Sequence, residues 1–257
     1  MDIVGKTAVV TGGASGLGRA TAIAYARKGA RVAIFDLDQR QGNLLVQRLG
    51  DTVSGFWSVD VADESSVKHA LESVVSRFGE IHICNNFAGI GSGCRTIGKQ
   101  GVHSLGIFQQ VINVNLVGTF NVARFAASHM ARNKPINEQC DRGVIINTAS
   151  IAAFEGQIGQ VAYSGSKCGV IAMTLPMARD LAEYGIRVNT IVPGLIRTPL
   201  IETLPPHQYS SLEQSVSFPQ RLGRPEEIAH LSVFMAENDY LNGACIRIDG
   251  AIRMKPI

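Results

Sequence analysis

The sequence lacks any apolar run long enough to cross a membrane. Its longer stretches, such as residues 188–192, stop far short of the roughly 20 residues a spanning helix requires. It also opens without a basic, apolar-cored leader: residues 1–4 run almost directly into an apolar segment beginning at Thr7. A cytoplasmic location is therefore expected, with the mitochondrial matrix open for a eukaryotic source. No charge block is present. The formal charge of +3 is dispersed, and the one mildly basic stretch, 247–255, is interrupted by Asp249, so composition gives no nucleic-acid footprint. The five cysteines, Cys84, Cys94, Cys140, Cys168 and Cys245, are odd in number and lack C-x-x-C spacing. Reduced thiols are the expectation, and with six scattered histidines no metal site is indicated. Nor does any linker, repeat or low-complexity tract divide the chain, so residues 1–257 are expected to form one domain.

What is present is a regular alternation. Hydrophobic residues at 46% and charged residues at 18% suit a globular chain with a large core. Short apolar segments at 7–10, 31–35, 55–59, 81–85, 144–147, 187–192 and 245–248 read as strands buried on both faces. Helical periodicity fills 17–28, 39–49, 65–78, 106–131, 161–183 and 225–236. The alternation predicts an α/β fold: a Rossmann-like doubly wound parallel sheet of about seven strands with helices on both faces. Residues 91–104 and 133–142 read as surface insertions. Residues 195–222, rich in proline and following the sixth strand, read as a lid at the carboxyl edge or as an ordinary exposed connection.

The first strand–helix junction carries Thr11, Gly12, Gly13, Ala14, Ser15, Gly16, Leu17 and Gly18. Glycines there permit a tight turn and close approach of backbone to a pyrophosphate, which the following helix N-terminus attracts. Asp36 closes the second strand, twenty residues after Gly16. A carboxylate there accepts from ribose hydroxyls and repels a 2′-phosphate, which favours NAD over NADP; a helix cap is the alternative reading. Asp60 and Val61 after the third strand are candidates for the adenine edge, and Asn86, Ala88 and Gly89 after the fourth for the floor beneath the cofactor.

Tyr163 and Lys167 are four residues apart on a helix and share a face. A phenol is a competent base only when something stabilises its anion, and a nearby ammonium does so. This makes the pair a candidate proton acceptor, against the alternative of an ordinary surface pair. Ser150, thirteen residues earlier at a strand end, is placed to hold a substrate oxygen or to cap a turn. Asn115 lies within the long helix, where its amide can hold a water and interrupt regular hydrogen bonding.

In order along the chain, T-G-x-x-x-G-x-G at residues 11–18, Asn86-x-Ala88-Gly89, Asn115, Ser150, Tyr163-x-x-x-Lys167 and Pro193-Gly194 resemble the short-chain dehydrogenase/reductase superfamily over essentially the whole length. The resemblance implies Tyr163 as general base, Ser150 orienting the substrate oxygen, Lys167 binding ribose and tuning Tyr163, and Asn115 supporting a proton relay. It implies that Ser15, Leu17, Pro193 and Gly194 contact the cofactor and that Thr198 holds the nicotinamide carboxamide. Residues 142–150, 153–157, 173–176, 193–195, 221–223 and 249–254 resemble more narrowly a branch acting on 3-hydroxyacyl-CoA thioesters and hydroxysteroids. That implies NAD, a homotetramer, a short-chain L-3-hydroxyacyl-CoA as main substrate, and Gln157 as a substrate contact. A steroid or small secondary-alcohol dehydrogenase, and a partner subunit with a non-catalytic role, are the alternatives.

Overall fold

The computed structural model describes residues 1–99, 101–198 and 206–256. Seven strands form one parallel sheet: β1 (Thr7–Thr11), β2 (Arg31–Asp36), β3 (Ser54–Ser58), β4 (Ile83–Asn86), β7 (Gly143–Thr148), β8 (Ile186–Pro193) and β9 (Cys245–Ile248). Their order is β3-β2-β1-β4-β7-β8-β9, so the winding reverses between β1 and β4. A ligand crevice is expected outside the strand ends at that reversal. The strands read as unbroken apolar runs because both faces are covered. Val9, Ala33, Cys84, Ile145 and Val188 enter one core beneath α3 (Glu64–Phe78), α5 (Gly118–Met130) and α6 (Val161–Asp180). Ala8, Val10, Val32, Ile34, Val144 and Ile146 enter the other, beneath α1 (Gly16–Arg27), α2 (Gln39–Leu49) and α8 (Pro225–Glu237). The single α/β domain of about seven parallel strands matches the expectation, with boundaries shifted by a residue or two.

Three local departures bear on the site. The helix read over 106–131 is divided: α4 (Leu105–Ile112) passes through a π-turn (Asn113–Val117) into α5. The helix read over 161–183 stops at Asp180, and a short 3₁₀ turn (Ala182–Tyr184) follows, closed by Gly185 in the left-handed conformation, φ +68°. The 91–104 insertion carries a small antiparallel pair, β5 (Ile97–Gly98) with β6 (Gly101–Val102), all four residues exposed. The 133–142 insertion is less superficial than expected, since Asn133 is buried and donates to the Ile81 carbonyl at 2.6 Å. Within the segment read as a lid, α7 (Pro206–Ser215) was not expected, and residues 199–205 lie outside the described residues. Among the described residues no helix is long and apolar enough to cross a membrane.

Candidate active site

The glycine loop is built by exclusion. A Cβ on Gly18 would stand 2.2 Å from the Gly12 carbonyl oxygen, and one on Gly12 would stand 2.9 Å from the Ala88 amide nitrogen. Any larger residue at either place forces β1, α1 and the β4 end apart. Thr11 ties the same corner, its hydroxyl accepting from the backbone N–H groups of Phe87 and Ala88 at 3.1 Å each. The Ser15 side chain makes no capping bond, so the first N–H groups of α1 are not capped by the residue that begins the helix. Asp36 is aimed at this loop: its carboxylate accepts from Ala14 N and Asp38 N, both at 3.0 Å. A side-chain-free cradle, an uncapped helix start and a fixed carboxylate suit a dinucleotide with unmodified ribose hydroxyls.

The other residues proposed for the cofactor divide. Thr198, Pro193, Gly194, Leu17 and Gly89 line a cleft of about 770 Å³ at the strand ends. Asn86 points inward, donating to the Asn147 side chain at 2.9 Å and linking β4 to β7 within the sheet. Ala88 acts through its backbone at the glycine corner. Asp60 is exposed and accepts from Ala62 N, and Val61 is buried with its carbonyl held by Asn121; neither lines the cleft.

Ser150, Tyr163 and Lys167 converge on that cleft from β7 and α6. Ser150 initiates the 3₁₀ turn Ile151–Ala153, its hydroxyl accepting from Ala152 N at 3.2 Å, so the cap and the cleft-facing positions coincide. Burial raises Tyr163 above the ordinary phenol value, and a hydrogen bond with the Ser150 side chain opposes it. Lys167 is 5% exposed and its ammonium donates to the Thr148 carbonyl at 2.8 Å. Burial pushes its pKa down to about 8. The Lys167 Nζ stands 5.7 Å from the tyrosine ring centroid.

Asn115 is fully buried at the π-turn, where the helix is interrupted as expected. Its amide is engaged by protein. It donates to Ile90 O at 2.8 Å and to the Ser166 hydroxyl at 3.1 Å, and accepts from Ile90 N at 2.8 Å. Its visible role is to anchor the loop after β4 against α6. Gln157 lines the cleft and donates to Lys255 O at 3.1 Å.

Several lining residues carried no signal in the sequence. Ile90, Leu195, Leu212, Ile158 and Met254 give the cleft apolar walls, beside Phe87 from the 86–89 run read as the cofactor floor. They come from five separate segments, and no local spacing marks them as neighbours.

Comparison with known proteins gives the family. A family profile described as short chain dehydrogenase matches residues 6–208. The 3-hydroxyacyl-CoA dehydrogenase type-2 of Drosophila melanogaster is 51% identical over 99% of this chain and 100% of its own length. Its Homo sapiens counterpart is 49% identical over 99% of this chain and 98% of its own. The crystal structure of 3-hydroxyacyl-CoA dehydrogenase type-2 from Mycobacterium avium superposes with a TM-score of 0.94 at 39% identity, covering 100% of both chains.

Proposed function

Because this chain belongs to the short-chain dehydrogenase family, we propose that it is an NAD-dependent oxidoreductase interconverting short-chain L-3-hydroxyacyl-CoA and 3-ketoacyl-CoA. The observation that carries the chemistry is the convergence of Ser150, Tyr163 and Lys167 on one cleft at the sheet edge that also bears the glycine loop and Asp36. The substrate class follows the names of full-length relatives at about half identity, together with apolar walls that suit an acyl chain.

Ser150 holds the substrate oxygen, and Tyr163 exchanges a proton with it. In the reductive direction the Tyr163 phenol, which burial favours in its neutral form, donates its proton to the carbonyl oxygen and is left as phenolate; in the oxidative direction the phenolate takes the hydroxyl proton and becomes the phenol. NAD, when bound, supplies the acceptor for the hydride leaving the carbinol carbon. Asp36 selects the unphosphorylated ribose, Gly12, Gly16 and Gly18 admit the pyrophosphate, and Thr198 with Pro193 and Gly194 borders the nicotinamide end. Lys167 adds a buried positive charge beneath the ribose position, and Asn115 keeps the floor loop rigid. Residues 195–198 and 206–222 belong to the proposed lid, with Leu195, Ile196, Thr198 and Leu212 bordering the cleft, and a homotetramer is the proposed assembly.

The test is initial-rate NADH consumption with acetoacetyl-CoA, with NADPH, a steroid ketone and a simple ketone in parallel. Turnover with NADH and the thioester well above the other combinations is expected. Activity on the free ketones with none on acetoacetyl-CoA would keep the dehydrogenase and discard the acyl-CoA assignment.

A further inference from the structure

Residues 249–256 form a strap at the edge of the cleft, fastened by the Glu155 carboxylate together with two bonds at 3.1 Å, Gln157 Nε2 to Lys255 O and Ile158 N to Pro256 O. Glu155 lies just beyond the 3₁₀ turn that Ser150 begins, its side chain 18% exposed. Its Oε1 accepts from Arg247 Nη1 at 2.9 Å and faces Arg253 Nε at 3.4 Å, and its Oε2 accepts from the backbone N–H of Met254 at 3.0 Å. The rest of the Arg247 fork holds Asp249 Oδ2 at 2.8 and 2.6 Å, and its guanidinium lies 5.5 Å from the Phe154 ring centre. Between these anchors Ala251 takes φ +60°, a left-handed conformation that a non-glycine residue keeps when its surroundings fix it. The Asp249 carboxylate accepts from Ala251 N at 3.0 Å, and the Ser217 hydroxyl donates to Ala251 O at 3.1 Å. The consequence is at Met254, whose backbone is held by Glu155 while the residue lines the same cleft as Ser150, Tyr163, Leu195 and Leu212.

We propose that Met254 closes the apolar end of the cleft and sets the acyl-chain length it accepts, and that Glu155 is the positioning residue that holds it there. This rests on the acyl-CoA reading above. Trimming Met254 removes apolar wall without touching the ionic network. Glu155→Gln keeps the shape but places an amide N–H₂ against arginine and backbone donors, so one contact must break.

The experiment compares kcat and KM for acetoacetyl-CoA and 3-ketooctanoyl-CoA with NADH, in wild type, Met254→Ala, Glu155→Gln and the double variant. Met254→Ala is expected to shift the kcat/KM ratio toward the eight-carbon substrate by about tenfold or more, chiefly through KM. Glu155→Gln is expected to move the ratio the same way with NADH affinity unchanged. The double variant should add little to Met254→Ala, because Glu155 acts through Met254. An unchanged ratio in Met254→Ala with acetoacetyl-CoA turnover intact would overturn the proposal, as would Glu155→Gln lowering kcat equally on both substrates. If the wild type turns over neither thioester, the acyl-CoA reading itself fails and this proposal falls with it.

Discussion

The Lys167 ammonium donates to the Thr148 carbonyl at 2.8 Å while standing 5.7 Å from the centre of the Tyr163 ring, so one buried cation joins the end of β7 to the candidate base. Its cost is legible in its titration. Burial lowers its pKa from 10.5 to about 8, so the folded protein releases this proton more readily than the unfolded chain does. Stability from this group therefore rises with pH between about 8 and 10.5, and the charge is unfavourable at neutral pH. Lys167→Met is expected to raise stability at pH 7 by roughly 1–3 kcal/mol, the lost Thr148 hydrogen bond offsetting part of the gain, while turnover collapses. Calorimetry at pH 7 and 9.5 checks this: the gain should shrink at the higher pH. A variant less stable than wild type at pH 7 would show that the ammonium supports the fold.

Asp36 is fixed by two backbone donors, so its carboxylate stands at a set place beside the glycine loop. Asp36→Ala is expected to raise the kcat/KM ratio of NADP to NAD on the order of tenfold or more, since the repulsion of a 2′-phosphate is removed. Parallel assays with the two nucleotides measure it. An unmoved ratio would leave Asp36 as a loop cap and nothing more.

His82 predicts how the protein fails in acid. It is 3% exposed, its Nδ1 accepts from Thr7 N at 3.2 Å, and its Nε2 lies 3.4 Å from Glu80. Burial first, and the charge of Lys6 next, hold its pKa down at about 4 against an ordinary 6.5. The unfolded chain thus takes the proton first as pH falls. Stability from keeping His82 neutral is complete above about 6.5 and is lost progressively toward 4, by about 3 kcal/mol in all. Thermal melts from pH 7 to 4.5 should fall more steeply for wild type than for His82→Gln, which cannot titrate there. Parallel slopes would contradict the assignment.

Features governed by neighbours in sequence were readable before the fold was known. The glycine loop, the uninterrupted apolar strands and the Tyr163–Lys167 spacing each follow from backbone geometry or helix period alone. Asn115 was readable by half: a polar residue deep in an apolar helix marked a disturbance, but only the packed structure shows Ile90 and Ser166 as its partners. The burial that raises Tyr163 is not legible from its spacing to Lys167, which gives proximity to a cation and says nothing of solvent access. Helix α7 went unread because Pro205, Pro206 and Pro219 dominated the pattern around it. Met254 and Glu155 were invisible as a pair, being ninety-nine residues apart and joined only when β9, paired beside β8, brings the chain back to the strand-end edge of the sheet.

The central claim is that Tyr163 exchanges the proton in the cleft that the cofactor residues Gly89, Pro193, Gly194 and Thr198 also line. It is tested most directly by Tyr163→Phe, assayed for turnover of acetoacetyl-CoA with NADH and, on the same preparation, for NADH binding by fluorescence titration. Removing one hydroxyl at a buried site should lower kcat by two or more decades, the order of a lost general acid–base, while the NADH dissociation constant stays within about threefold of wild type. Near-normal turnover in the variant would contradict the account at its centre.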